Sequence, residues 1–157
     1  MNVYLAIKTL HIVSSAVLVG TGFGTAFYLF CANRTRSVPG IALVSRLVVR
    51  ADCWFTSPAV VIQPVSGLWL AHAAGWTWQT PWIIAAVCLY LLAGACWLPV
   101  VWLQLRMAMI ASGANQAGMP ALPQQYWRYA RYWEWLGYPA FAAMLIVYGL
   151  MVFKPSL

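Results

Sequence analysis

Leu5-Ala-Ile-Lys8-Thr-Leu-His11-Ile-Val-Ser14-Ser15-Ala-Val-Leu18-Val-Gly20-Thr-Gly22-Phe-Gly24-Thr25 is the stretch whose reading decides the fold. It continues apolar to Cys31. That exceeds the roughly 20 residues a helix needs to cross a bilayer core. Yet Lys8 and His11 stand where a lipid-facing helix would carry leucine. At 100° per residue, Lys8, His11, Ser14, Ser15, Leu18, Gly22 and Thr25 fall within about 60° of His11. A polar face of this kind has to turn toward protein rather than lipid. Gly20 and Gly24 add a small-x-x-x-small pair that permits close approach of another helix or a flat cofactor. The run carries a histidine and no clear small-x-small cleavage site before Asn33, so it reads as a span and not as a leader.

The rest of the composition agrees with a membrane location. Of 157 residues, 64% are hydrophobic and 7% charged, against roughly 25% charged in a soluble domain. Asp52 and Glu134 are the whole acidic complement. So few charges cannot cover the surface of a water-soluble fold of this length. The net charge of +7 does not argue for nucleic acid, because the basic residues lie in clusters between apolar runs, as topology signals do. Acid/base hydrolysis is excluded for want of carboxylates, and no Ser-His-Asp set, phosphate loop or HExxH is present.

Four spans follow in one bundle covering 1–157: about 3–31, 52–72, 82–105 and 135–153. The segment Ala32–Gly40 reads as a loop, and Ile41–Arg50 as a short amphipathic stretch. Span two holds Pro58 and Pro64, so some of its carbonyls need outside donors. Asp52 at its start reads as a carboxylate stabilising a helix N-terminus. The turn 73–82 carries Trp76, Trp78 and Trp82, an interfacial aromatic belt. With Gly113, Gly118, Pro120 and Pro123, the segment 111–125 reads as non-helical. Arg34, Arg36, Arg46 and Arg50 flank one connection, and Arg106, Arg128 and Arg131 flank another. The positive-inside rule puts both in the cytoplasm. The expectation is an all-α membrane protein, a four-transmembrane-helix bundle of the bacterial inner membrane, multi-pass, with both termini outside in the periplasm.

His11 lies about 12 Å below the outer edge of its run at 1.5 Å per residue. A neutral imidazole there needs partners for both nitrogens, or a metal on one. Haem or metal ligation and a structural hydrogen bond are both open. In span two, Asp52, Thr56, Ala59, Gln63, Ser66 and Leu70 all fall within about 40° of Asp52. His72, the other histidine, sits at the outer end and falls about 160° from Gln63, poorly placed to pair with His11. Tyr90 and Tyr138 are further donors. Cys31, Cys53, Cys88 and Cys96 show no CxxC spacing and read as free thiols. The methionines lack a Met-x-x-Met repeat, which makes copper a weak reading.

Lys8-Thr-Leu-His11, Arg50-Ala-Asp52-Cys-Trp54-Phe55-Thr-Ser-Pro58-Ala, Gln63-Pro64-x-x-Gly67 and Gly94-Ala-Cys-Trp97-Leu-Pro99-Val-Val-Trp102-Leu-Gln104 together resemble a bacterial family of four-span membrane proteins of unknown function. That resemblance implies an architecture and no activity. More distantly, Lys8-x-x-His11 resembles the start of the haem-b membrane protoporphyrinogen oxidases. This implies His11 as the haem ligand. Those enzymes also need a lysine on a later span, and spans two and three have none.

The residues that would form a haem-b site are therefore His11 as the metal ligand, with Lys8, Ser15, Gly22, Gln63 and His72 around it. A redox or electron-transfer role follows from that expectation. The alternatives are an accessory or assembly subunit of a membrane complex, or a small dimeric transporter. Expected partners are the lipid bilayer and either a membrane complex or a second copy.

Overall fold

The computed structural model describes residues 2–155, and the regular elements among them are helices. These are α1 (Val3–Thr35), α2 (Val38–Ala51), α3 (Ser57–Ala73), α4 (Pro81–Gln116) and α5 (Gln124–Phe153). A π-helical turn, Asp52–Thr56, joins α2 to α3 with the backbone helical throughout. Three helices, α1, α4 and α5, are each long and apolar enough to cross a membrane.

The helices overrun the boundaries expected from sequence, and local chemistry explains each case. The segment 32–40 is not a loop. α1 runs on to Thr35 and turns at Arg36, whose left-handed φ of 58° lets its N–H reach the Asn33 carbonyl. Ser37 then caps α2 by accepting the Gly40 N–H, with Pro39 in the first turn, where its missing N–H costs nothing. Likewise α4 absorbs Gly113 and stops at Gly118, whose φ is +62°. The two prolines that argued against helix are confined to the short connection 117–123. α5 begins at Gln124 because Tyr126, Ala130 and Trp133, spaced at helical intervals, form a buried face.

Asp52 is not at a helix N-terminus, because the helix passes straight through it. The widened π register lies just before Pro58. There the Ser57 N–H bonds to the Asp52 carbonyl, and the Ser57 hydroxyl donates to the same oxygen at 2.9 Å. Trp82 is also misplaced by the belt reading. It is buried, with its ring centroid 5.4 Å from that of Trp76 in an edge-on contact.

The bundle has two unlike ends. At the arginine-rich end a continuous core joins α1, α2, α4 and α5. Ala42, Ala111 and Ala114 allow close helix approach there, around fully buried Tyr126, Ile41 and Met107. The Tyr126 hydroxyl donates to Asn33 Oδ1 at 2.7 Å and ties α5 to α1. Toward the other end the helices separate into pairs, α1 with α3 and α4 with α5, with little contact between the pairs. Lys154 Nζ lies 5.9 Å from the Trp76 ring centroid, and Tyr4 packs near Trp69, which brings both ends of the described chain to the tryptophan turn.

Only a few side chains bridge the pairs, and one of them answers a proline. Pro64 has no N–H, so the carbonyl four residues earlier, that of Val60, loses its helical donor. The Tyr90 hydroxyl of α4 supplies one at 2.7 Å. Removing this donor leaves a carbonyl unpaired between the helices. Tyr90→Phe is expected to cost about 1–3 kcal/mol, read as a lower melting temperature in detergent. The loss should shrink in the Pro64→Ala background, where the helix supplies its own donor. An equal loss in both backgrounds would contradict the assignment.

Candidate functional site

His11 is half-buried on α1 and meets α3. Its Nδ1 lies 2.8 Å from the Ser66 hydroxyl. Ser66 in turn donates to the Ile62 carbonyl of its own helix at 2.6 Å. A serine has one proton to give. With that proton on Ile62, Ser66 accepts from His11, so the imidazole carries its hydrogen on Nδ1. Nε2 keeps its lone pair. That arrangement favours the Nδ1–H tautomer, and the Gln63 backbone is a second polar neighbour of the ring.

Gly67 follows Ser66 for a steric reason. A Cβ at that position would stand 3.0 Å from His11 Cε1, closer than side chains ordinarily approach. The imidazole lies against the α3 backbone here, and a larger residue would require it to shift by a few tenths of an ångström. Gln63, one turn before Ser66, is buried, and its Oε1 has no donor. The step Gln63-Pro64-x-x-Gly67 is therefore the part of α3 built around the histidine.

The other residues expected at the site go elsewhere. Lys8 is exposed. The Ser15 hydroxyl bonds to that of Tyr148, which donates to the Ser15 carbonyl at 2.8 Å, so Ser15 serves to hold α5. Gly22 lies beside the Phe141 ring, 3.6 Å from where its Cβ would be, an ordinary van der Waals distance. His72 is exposed in the last turn of α3. Among the described residues no three His, Cys, Asp or Glu side chains gather where they could hold a metal ion. The four cysteines are free. Ser66 was visible in sequence as a member of the polar stripe of span two. Which member of a stripe meets which residue of another helix is a property of packing, and no spacing rule supplies it.

A separate cleft of about 380 Å³ lies between the two helix pairs. Its wall includes Leu18 and Gly22 of α1, Val60 of α3, Tyr90 and Trp97 of α4 and Phe141 of α5, but not His11 or Gln63. At the arginine-rich end it meets Asp52 and Glu134. Asp52 is buried, and one carboxylate oxygen accepts the Thr56 hydroxyl at 2.8 Å.

Long apolar helices whose polar side chains turn toward one another define an integral membrane protein of helical-bundle type. Residues 5–155 match the family described as predicted integral membrane protein (DUF2269), and the chain belongs to that family. The description names a location and no activity. No curated protein and no solved structure matches the chain.

The contact between Gly67 and His11 can be tested directly. Gly67→Ala should shift the ring by a few tenths of an ångström, weaken its bond to Ser66 and lower the melting temperature. Adding His11→Ala removes the obstacle, so the double variant should melt above the single Gly67→Ala variant. Independent, additive losses would show that the two residues do not touch.

Proposed function

We propose that the protein is a four-crossing bundle of the bacterial inner membrane that binds haem b through Nε2 of His11 and serves a redox, electron-transferring role. The observation that carries this reading is the hydrogen-bond chain from His11 Nδ1 to Ser66 to the Ile62 carbonyl. Metal-ligating histidines usually give their other N–H to a fixed acceptor, which sets the tautomer and aims the free nitrogen. Ser66 supplies that acceptor here. Gln63, one turn before Ser66 on the same helix, adds a buried side-chain oxygen without a donor among the described residues. Lys8, exposed one turn nearer the end of α1, offers a cation to an acidic edge of a ligand.

The donor set suits a porphyrin better than a bare ion. A bare ion needs three or more ligands from the chain, whereas a porphyrin brings four nitrogens and asks the protein for axial ligation alone. When bound, haem supplies one-electron exchange at iron, with a potential set by the axial ligand and pocket polarity. The chain's part is to keep the imidazole neutral, hold it against Gly67 and exclude water with the α1–α3 interface. The reading ends at haem binding and does not extend to porphyrinogen oxidation, because α2, α3 and α4 carry no lysine.

The fourth crossing is proposed for the continuous helix from Val38 to Ala73, whose Val61 and Val65 are about two-thirds exposed, as lipid-facing side chains are. The arginines gather at the end opposite the tryptophan turn, which puts the termini outside by the positive-inside rule. Reporters fused after Pro155 and within 117–123 should then report opposite sides.

An accessory or assembly subunit is the second reading, and Gly20 and Gly24 favour it. Among the described residues a Cβ at either position would meet nothing within 4 Å, so a partner helix can approach there. The absorbance spectrum of the detergent-purified protein separates the two. Haem binding predicts a Soret band, present on isolation or after adding haemin, that His11→Ala abolishes. Ser66→Ala should weaken haem affinity about 10- to 100-fold, as loss of an orienting partner does. Pigment-free protein that cannot be reconstituted and that co-purifies with a stoichiometric partner would overturn haem binding in favour of the accessory role.

A further inference from the structure

The cleft between the helix pairs does not belong to the His11 site, and its lining has an unusual charge. The chain has two acidic residues in all, and both, Asp52 and Glu134, line this one cleft. Its nine lysines and arginines and two histidines contribute nothing to the lining. The rest of the wall is mostly apolar, with aromatic rings from Phe23, Phe27, Trp97 and Phe141.

The two acids are not equivalent. Glu134 also borders a depression at the arginine-rich end lined by Arg34, Arg36 and Arg131, so positive charge is at hand. Asp52 is 6% exposed, its hydrogen-bond partners, the Thr56 hydroxyl and the Gln104 side chain, are neutral, and so is Tyr90 on the same wall. A carboxylate in apolar surroundings is costly unless a cation joins it. Aromatic ring faces attract the same cation, more strongly when water is absent. The cleft volume of about 380 Å³ lies within the range of pockets that hold drug-sized molecules, roughly 300–1,000 Å³.

We propose that this cleft binds a lipophilic organic cation, an ammonium or phosphonium centre on an apolar body, with the Asp52 carboxylate as its counter-ion. The apolar body fills the space between α1 and α5 and the charge sits toward the π turn. Glu134 stands between the cleft and the arginine-rich depression, whose guanidiniums leave Asp52 as the counter-ion without a cation beside it. A neutral ligand or a lipid tail would fill the same space without needing Asp52, and the test separates these cases.

Tetraphenylphosphonium is titrated into the full chain in detergent by calorimetry, with triphenylphosphine oxide as the uncharged probe. The cation should bind saturably and the oxide at least tenfold more weakly. Asp52→Asn, which can still accept the Thr56 hydroxyl, should reduce cation affinity at least tenfold. Gly94→Leu fills the cleft from a position where an added Cβ meets nothing within 4 Å. It should abolish binding with little change in melting temperature, which keeps the test valid if Asp52→Asn fails to fold. His11→Ala should bind the cation as the wild type does, so this result stands apart from that for haem. Equal affinity for the neutral probe, undiminished binding by Asp52→Asn, or no saturable binding would each overturn the proposal.

Discussion

A polar group in the hydrocarbon core has no water to bond with, so its partner must come from the chain. The rest of this structure depends on that constraint. Pro64 withdraws a donor from Val60, and Tyr90 reaches across from another helix to replace it. His11 cannot leave Nδ1 bare, and Ser66 takes its hydrogen. Ser15 and Tyr148 satisfy each other. Each bond joins two helices that otherwise hold together by apolar packing, which in lipid gains little from the hydrophobic effect. Polar satisfaction and helix assembly are therefore largely the same problem here.

The two ends of the bundle solve it differently. At the arginine-rich end alanines let the helices close on a continuous core, and one buried tyrosine–asparagine bond is enough to tie α5 to α1. Between the helix pairs, phenylalanines and a few polar side chains span a wider gap, and a cleft remains that reaches Asp52 and Glu134. The histidine site and the cleft thus occupy different interfaces. His11 belongs to the tight α1–α3 pair, and the carboxylates belong to the opening between pairs. A chain of this size can hold two binding places because its helix pairs separate over part of their length.

Much of this was legible in the residues. The scarcity of charge and the long apolar runs gave the membrane location and the helical class. The wheel around His11 gave the inward face of α1, and Ser14 and Leu18 on it are indeed buried. The prolines of span two announced carbonyls in need of donors, and Tyr90 was already singled out as a donor. Glycine and proline do not mark the helix ends the way sequence predicts, because a helix docked by its neighbours tolerates Gly113 that an isolated one would not. The grouping of the site failed in the same way. Lys8, His11, Ser15 and Gly22 share a face, but the face meets α3 at His11 and α5 at Ser15 and Gly22. The shared cleft of Asp52 and Glu134 was invisible, since they lie on different helices far apart in sequence.

The central claim is that Ser66 holds His11 as the Nδ1–H tautomer, with Nε2 free to act. Nitrogen NMR of the detergent-solubilised protein labelled with ¹⁵N-histidine reads this directly, because exposed His72 provides an internal reference for an imidazole averaging between tautomers. The account predicts a protonated Nδ1 and an unprotonated Nε2 for His11, and loss of that bias in Ser66→Ala. A His11 ring with its hydrogen on Nε2, or one averaging like His72, would contradict it.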